Sequence, residues 1–166
     1  MRRNIALIAA ILVVAVAGFA SVASGHGEKR SFKATLGGFQ EVPAVSTTGS
    51  GEFRMRLGED GDTLEYELTY SGLTGTASAA HIHVGQKGVE GGVAAFLCGG
   101  GDKPACPATE GTVSGVIAAA DVIGPAEQGI AAGEFEEFLH AVRHRLTYVN
   151  VHTSTFPEGE IRGQVK

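Results

Sequence analysis

The sequence contains no tryptophan, only five prolines and only two cysteines among its 166 residues. Aspartate and glutamate outnumber lysine and arginine, which gives a net charge of -5 without basic clusters along the chain. Such a chain is a poor candidate for binding nucleic acid or an anionic membrane surface. The apolar content is ordinary, and this argues against both a disordered chain and a multi-span membrane protein.

Motifs of the common catalytic classes are also missing. There is no Gly-x-Ser-x-Gly elbow and no pair of carboxylates in a recognisable catalytic frame. The glycine-rich stretch 85–92 follows one predicted strand and precedes another, so no helix N-terminus would face a phosphate. The sequence therefore predicts a protein that is not an enzyme.

The length and the glycine content indicate one β-rich domain. A chain of this size forms one core comfortably, whereas two smaller domains would each be marginal. Its 25 glycines follow no collagen-like period, and they suit many short strands joined by tight turns.

The N-terminal segment has the pattern of a cleavable signal peptide. A short basic start precedes an uninterrupted apolar run from Ile5 to Ala20, and Ser21 and Ala23 occupy the -3 and -1 positions of a peptidase site. We predict a signal peptide over 1–23, with cleavage after Gly25 as the alternative, a flexible leader over 24–30 and the folded domain over 31–166. The protein would then be secreted or periplasmic, without further membrane attachment.

An uncleaved N-terminal anchor is the other interpretation of this segment, because the apolar run is just long enough to span a bilayer. No cysteine follows the run, which argues against a bacterial lipoprotein.

The two cysteines, Cys98 and Cys106, flank a glycine-rich stretch. In an oxidising compartment such a pair predicts a disulfide bond, while a metal-binding pair or two free thiols are the alternatives. A loop this short gains only about 2 to 3 kcal/mol from closure, so the bond would pin the loop rather than hold the fold together.

Hydrophobic periodicity predicts seven or eight short strands and one short helix. Alternation is clearest in the two strands 52–57 and 63–70, which would form a hairpin with Arg54 and Arg56 opposite Glu65 and Glu67. Within 133–143 the apolar residues follow helical spacing. The other strands are predicted at 32–36, 79–84, 93–97, 112–118, 146–151 and 160–166. This set fits an antiparallel sandwich or an open barrel.

Three histidines lie where the alternation fixes their direction. His81 and His83 point to one face of their strand, and His152 shares a face with Tyr148 and Asn150 on another. If the two strands are neighbours, the three imidazoles converge and form a set that copper or zinc favours. A hydrogen-bonded histidine network without metal is the equally weighted alternative. The remaining histidines, His26, His140 and His144, are interpreted as solvated.

Three stretches resemble the CHRD domain, a family named after its occurrence in chordin and found in exported bacterial proteins. The first runs from Phe32 through Glu41-Val42-Pro43, the second from Ala80 through His81-Ile82-His83 to Gly85, and the third from Tyr148 through Asn150 and His152, then from Pro157 through Glu160 and Arg162. The resemblance covers essentially the whole chain after the signal peptide.

The resemblance implies an all-β, immunoglobulin-like or superoxide-dismutase-like sandwich that acts outside the cytoplasm. It implies a binding or structural module rather than a settled activity, with Glu41, Pro43, Asn150, Glu160 and Arg162 as family positions beside the histidines. A protein or glycan partner is expected, and not nucleic acid. The His-x-His stretch is similar to the copper-ligand strand of Cu/Zn superoxide dismutase, but no zinc-bridging set accompanies it, so a redox enzyme ranks behind a copper or zinc binder.

Overall fold

A computed structural model describes residues 29–166. The predicted signal peptide, its cleavage site and most of the predicted leader lie outside these residues. The strands are β1 (Ser31–Gly37), β2 (Ser50–Leu57), β3 (Leu64–Ser71), β4 (Ala77–Val84), β5 (Val93–Cys98), β6 (Gly111–Ile117), β7 (Thr147–Thr153) and β8 (Ile161–Gln164). One α-helix, α1 (Phe135–Arg143), lies between β6 and β7, and three short 3₁₀ segments occupy loops.

The eight strands form a single antiparallel sheet in the order β5-β4-β7-β8-β1-β2-β3-β6. Its two edge strands approach each other, and the Tyr66 hydroxyl of β3 donates a 2.7 Å hydrogen bond to the Leu97 carbonyl of β5. The sheet is therefore nearly closed around one core, in agreement with the all-β, sandwich-like fold and the strand number predicted from the sequence.

Alternating polarity determines which face of each strand points into this core. In β3 the residues Leu64, Tyr66, Leu68 and Tyr70 are buried and the residues between them are exposed. The predicted hairpin has the expected register, with Arg54 opposite Glu67 and Arg56 opposite Glu65. Only Arg56 forms the cross-strand ion pair, at 3.1 Å, because Arg54 binds Glu52 of its own strand at the same distance.

The helix α1 has the apolar stripe that its spacing predicts. Its buried residues, Phe135, Phe138, Leu139, Ala141 and Val142, join the same core cluster as the strands. Acidic residues occupy its first turn and basic residues its last, which agrees with the helix dipole. No helix within residues 29–166 has the length and apolar character needed to cross a membrane.

The disulfide between Cys98 and Cys106 is present and closes the loop that follows β5. It fits a protein of an oxidising, extracellular or periplasmic compartment. Cys98 is fully buried at the end of its strand, so the bond ties this loop to the core.

Candidate metal centre

Strands β4 and β7 are hydrogen-bonded neighbours, and this pairing brings the three singled-out histidines together. His81 lies opposite Asn150 and His83 lies opposite Tyr148, while His152 is two residues beyond Asn150 on β7. Ile82, Val149 and Val151 are fully buried in the core, so the histidines face the other side of the sheet. Loops cover this outer side, and as a result nearly every residue of β7 is buried, whichever face of the sheet it points to.

The three imidazoles can each present one nitrogen to a common ion. These nitrogens all lie within 4.8 Å of one another. Three atoms spaced in this way lie within about 2.8 Å of a common point, whereas a zinc–imidazole bond is about 2.0–2.1 Å long. A modest inward movement of the rings would therefore complete a three-nitrogen site.

Two backbone carbonyls fix the protonation of two of the rings. His83 Nδ1 lies 2.9 Å from the Gly91 carbonyl, and His152 Nδ1 lies 2.8 Å from the Pro157 carbonyl. A carbonyl oxygen only accepts, so each Nδ1 carries the proton and each neutral ring keeps its lone pair on Nε2. Orientation of metal-binding histidines by such outer bonds is a general feature of metal sites.

The unprotonated Nε2 atoms of His83 and His152 have different surroundings. Nε2 of His83 is buried and has no hydrogen-bond partner within the described residues. Nε2 of His152 lies 3.1 Å from His81 Nδ1 and 3.0 Å from the Asn150 side-chain oxygen. An unprotonated Nε2 of His152 accepts from His81 Nδ1, but it cannot bond the Asn150 oxygen, which only accepts, so two lone pairs face each other there. The Asn150 oxygen adds another electron-pair donor beside the three nitrogens.

Burial keeps all three imidazoles neutral. Desolvation, reinforced by His152 and His83, lowers the pKa of His81 to about 3. Desolvation also lowers the pKa of His83 and of His152, and their bonds to backbone carbonyls oppose this only in part. Neutral imidazole is the form that binds a metal ion, so near neutral pH an ion competes with the hydrogen bond between His81 and His152 rather than with imidazolium protons.

A stack of side chains braces His83 from behind. The His83 and Tyr148 rings are parallel, with centroids 4.7 Å apart, and the Arg162 guanidinium lies 3.4 Å from the Tyr148 centroid. Arg162 is itself buried and donates to the carbonyls of Gln86 at 3.2 Å and Val89 at 2.7 Å. It therefore holds the loop whose Gly91 carbonyl orients His83.

Gly91 must be glycine for this loop to reach the site. A Cβ there would collide with the backbone carbonyl of Val84. The close approach of the two backbone segments places the Gly91 carbonyl beside His83, and the Gly91 N–H donates to the Tyr148 hydroxyl at 3.2 Å.

A polar pocket of about 160 Å³ opens beside His83 and His152. Three carboxylates line it, those of Glu41, Glu90 and Glu158. Burial raises the pKa of Glu41 to about 7, although the Arg162 charge opposes this, and one Glu41 oxygen is buried without a hydrogen-bond partner. Arg162 is the one lysine or arginine in the lining, so the pocket carries net negative charge.

Glu160, another of the family positions, does not line this pocket. Its fully buried carboxylate accepts bonds from the Thr47 and Thr153 hydroxyls and from both the N–H and the hydroxyl of Thr74. Burial alone would raise its pKa, but these bonds outweigh burial and lower it. Glu160 therefore joins three chain segments rather than facing the histidines, and Pro43, which follows a cis peptide bond, lies exposed in the loop after β1.

Several contributors to the site carry little signal in the sequence. Tyr148 shares a face with Asn150 and His152, so strand alternation could have indicated it. Phe96 packs edge-on against His81 with ring centroids 4.5 Å apart, but only the β4–β5 pairing reveals this. The Gly91 and Pro157 carbonyls are backbone atoms, and no side-chain pattern identifies them.

Comparison with known proteins identifies the family. The family model described as the CHRD domain matches residues 32–165, and the chain therefore belongs to this family. This membership supports a binding or structural module. No curated protein and no solved structure matches the chain.

Proposed function

We propose that this exported CHRD-domain protein is a non-catalytic binding module that holds one copper or zinc ion at His81, His83 and His152. The observation that carries the proposal is the convergence of three imidazole nitrogens within 4.8 Å of one another, among residues where the buried Nε2 of His83 has no hydrogen-bond partner and its Nδ1 is fixed by the Gly91 carbonyl. A buried polar atom without a partner is costly, and a metal ion would relieve this cost.

The donor set supports copper or zinc in preference to calcium or magnesium. Three neutral imidazoles, with an amide oxygen beside them, match the ligand preferences of copper and zinc, whereas the hard cations take oxygen ligands. The bound ion would stabilise the contact between β4, β7 and the loops that cover them. A protein or glycan partner would be bound by other surfaces of the module.

Elemental analysis of the protein, purified after export and without chelators, tests the proposal directly. We expect about one equivalent of copper or zinc per chain, and calorimetric titration of the stripped protein should give the same stoichiometry. The His81→Ala/His83→Ala/His152→Ala variant should lose this equivalent. A His152→Gln variant, which disturbs the packed rings less, should bind much more weakly.

The matched control removes the two histidines at the C-terminal end of α1, His140 and His144. Both are exposed, lie four residues apart and have ring centroids 4.2 Å apart, so among the described residues they are the histidines outside the cluster that could bind a metal ion adventitiously. The His140→Ala/His144→Ala variant should keep the full equivalent. Absence of binding in the wild type, or loss of the equivalent in this control alone, contradicts the proposal and leaves the hydrogen-bonded histidine network.

A redox enzyme of the superoxide-dismutase type is a weaker second candidate. Within residues 29–166 no other group of three histidine, cysteine or carboxylate side chains is arranged to hold a second metal ion. Superoxide turnover by the copper-loaded protein well above that of free copper would favour this candidate.

A further inference from the structure

The outer face of β1, β2 and the C-terminal segment carries an unusual row of positive charges. Lys33 lies directly opposite Arg54 of β2. On its other side it exchanges two backbone hydrogen bonds, of 3.0 and 2.9 Å, with Lys166. Residues paired in this way point to the same face of the sheet. The three cationic residues therefore stand side by side on three adjacent chain segments, whose backbones are about 4.8 Å apart.

More basic residues surround this row. Two adjoining open clefts on this face are lined by six of the chain's 13 lysines and arginines, all of them exposed: Lys29, Lys33, Arg54, Arg56, Lys87 and Lys166. The clefts contain only three carboxylates, Glu52, Glu65 and Glu67. A chain with a net charge of -5 thus concentrates its positive charge on one surface, which we term the basic face.

The basic face is only partly neutralised within the protein. Arg54 and Arg56 have ion pairs with glutamates, but in the described part of the chain Lys33, Lys87 and Lys166 have none. Like charges directly opposite each other destabilise a sheet. The row is therefore unfavourable for folding alone, and an external anion would relieve it.

We propose that the basic face binds an anionic polysaccharide, a glycan that carries carboxylate or sulfate groups along its length. A linear polyanion can contact the cations of the row and of its flanks together, and Gln40 and Gln164 in the second cleft can hydrogen-bond sugar hydroxyls. The exposed large apolar residues, Phe39, Val89, Val116, Ile123 and Leu146, do not line either cleft. Phe32, Met55 and Tyr66 line the first cleft but are buried, so within the described residues the face presents no exposed large apolar side chain of the kind that anchors a protein in a membrane.

Binding of the full chain to immobilised polygalacturonate and dextran sulfate tests this inference, with uncharged dextran as the reference. We expect binding to at least one of the two polyanions, none to dextran, and weakening as salt is raised. The double variant Lys33→Gln/Arg54→Gln should bind about tenfold more weakly or worse. The control Arg145→Gln, an exposed arginine outside both clefts, should change affinity less than about twofold.

Thermal unfolding of the same variants separates function from structure. Because the double variant removes repulsion in the row, its melting temperature should equal or exceed that of the wild type, although binding is lost. Equal binding to dextran, or equal polyanion binding by the double variant, would overturn the inference. Tighter binding to phosphatidylglycerol vesicles than to either polysaccharide would also overturn it and assign the face to a lipid surface.

Discussion

Replacing Glu160 by glutamine should strongly destabilise the fold, although the side chains are nearly the same size. The carboxylate accepts four hydrogen bonds, with distances of 2.6 Å from Thr47, 2.7 and 3.0 Å from Thr74, and 2.8 Å from Thr153. Glutamine keeps one acceptor oxygen and turns an NH₂ group toward the hydroxyl of Thr153. That hydroxyl already accepts from the Phe156 N–H, so its own proton then has no acceptor.

The magnitude follows from the difference between charged and neutral hydrogen bonds. Bonds to a charged group contribute about 1.5–3 kcal/mol and neutral ones about 1 kcal/mol, and a donor left unsatisfied adds a further penalty. Summed over this site, the Glu160→Gln variant should lose roughly 2 to 4 kcal/mol of unfolding free energy. For a domain of this size that corresponds to a decrease in melting temperature of roughly 8 to 16 °C.

The pH dependence gives a second, independent test. The pKa of Glu160 is lower in the folded protein than its ordinary value, so its contribution is full above the unfolded pKa of about 4.3 and is lost as pH falls through the folded value. The stability difference between wild type and variant should be largest near pH 7 and should narrow in acid.

Urea unfolding of the metal-free proteins across this pH range measures the difference. The neighbouring, exposed Glu158→Gln is the control and should shift stability by less than about 0.5 kcal/mol. A Glu160→Gln difference below about 1 kcal/mol, or one that widens in acid, would refute the assignment of Glu160 as a buried ionised hub.

Local features of the fold could be predicted from the sequence because they depend on nearby residues. The alternation in β2 and β3 predicted which of their residues point into the core and which face each other across the hairpin. The apolar spacing of α1 predicted the buried side of the helix. The same alternation placed His81 and His83 on one face of β4. The disulfide followed from compartment and loop composition.

The neighbours of a strand depend on contacts far apart in the chain, and no local pattern specifies them. The adjacency of β4 and β7, on which the histidine cluster depends, joins segments that are separated by nearly half of the domain. The basic face likewise depends on pairing between chain segments that are distant in the sequence. Lys33, Arg54 and Lys166 lie far from one another in the sequence and form a row only when their chain segments pair. A chain without basic clusters thus acquires a cationic surface by folding.

Two further predictions concern the proposed metal centre. Arg162→Lys should weaken metal binding about 10- to 100-fold, because lysine cannot both stack on Tyr148 and hold the two loop carbonyls that position Gly91. Calorimetric titration that shows unchanged affinity would remove Arg162 from the site. Metal affinity of the wild type should fall less steeply below about pH 6.5 than that of a site of solvated imidazoles, because burial lowers the pKa of all three histidines, that of His81 to about 3. A steep loss of affinity below about pH 6.5 would mean that the binding nitrogens are not those of the buried cluster.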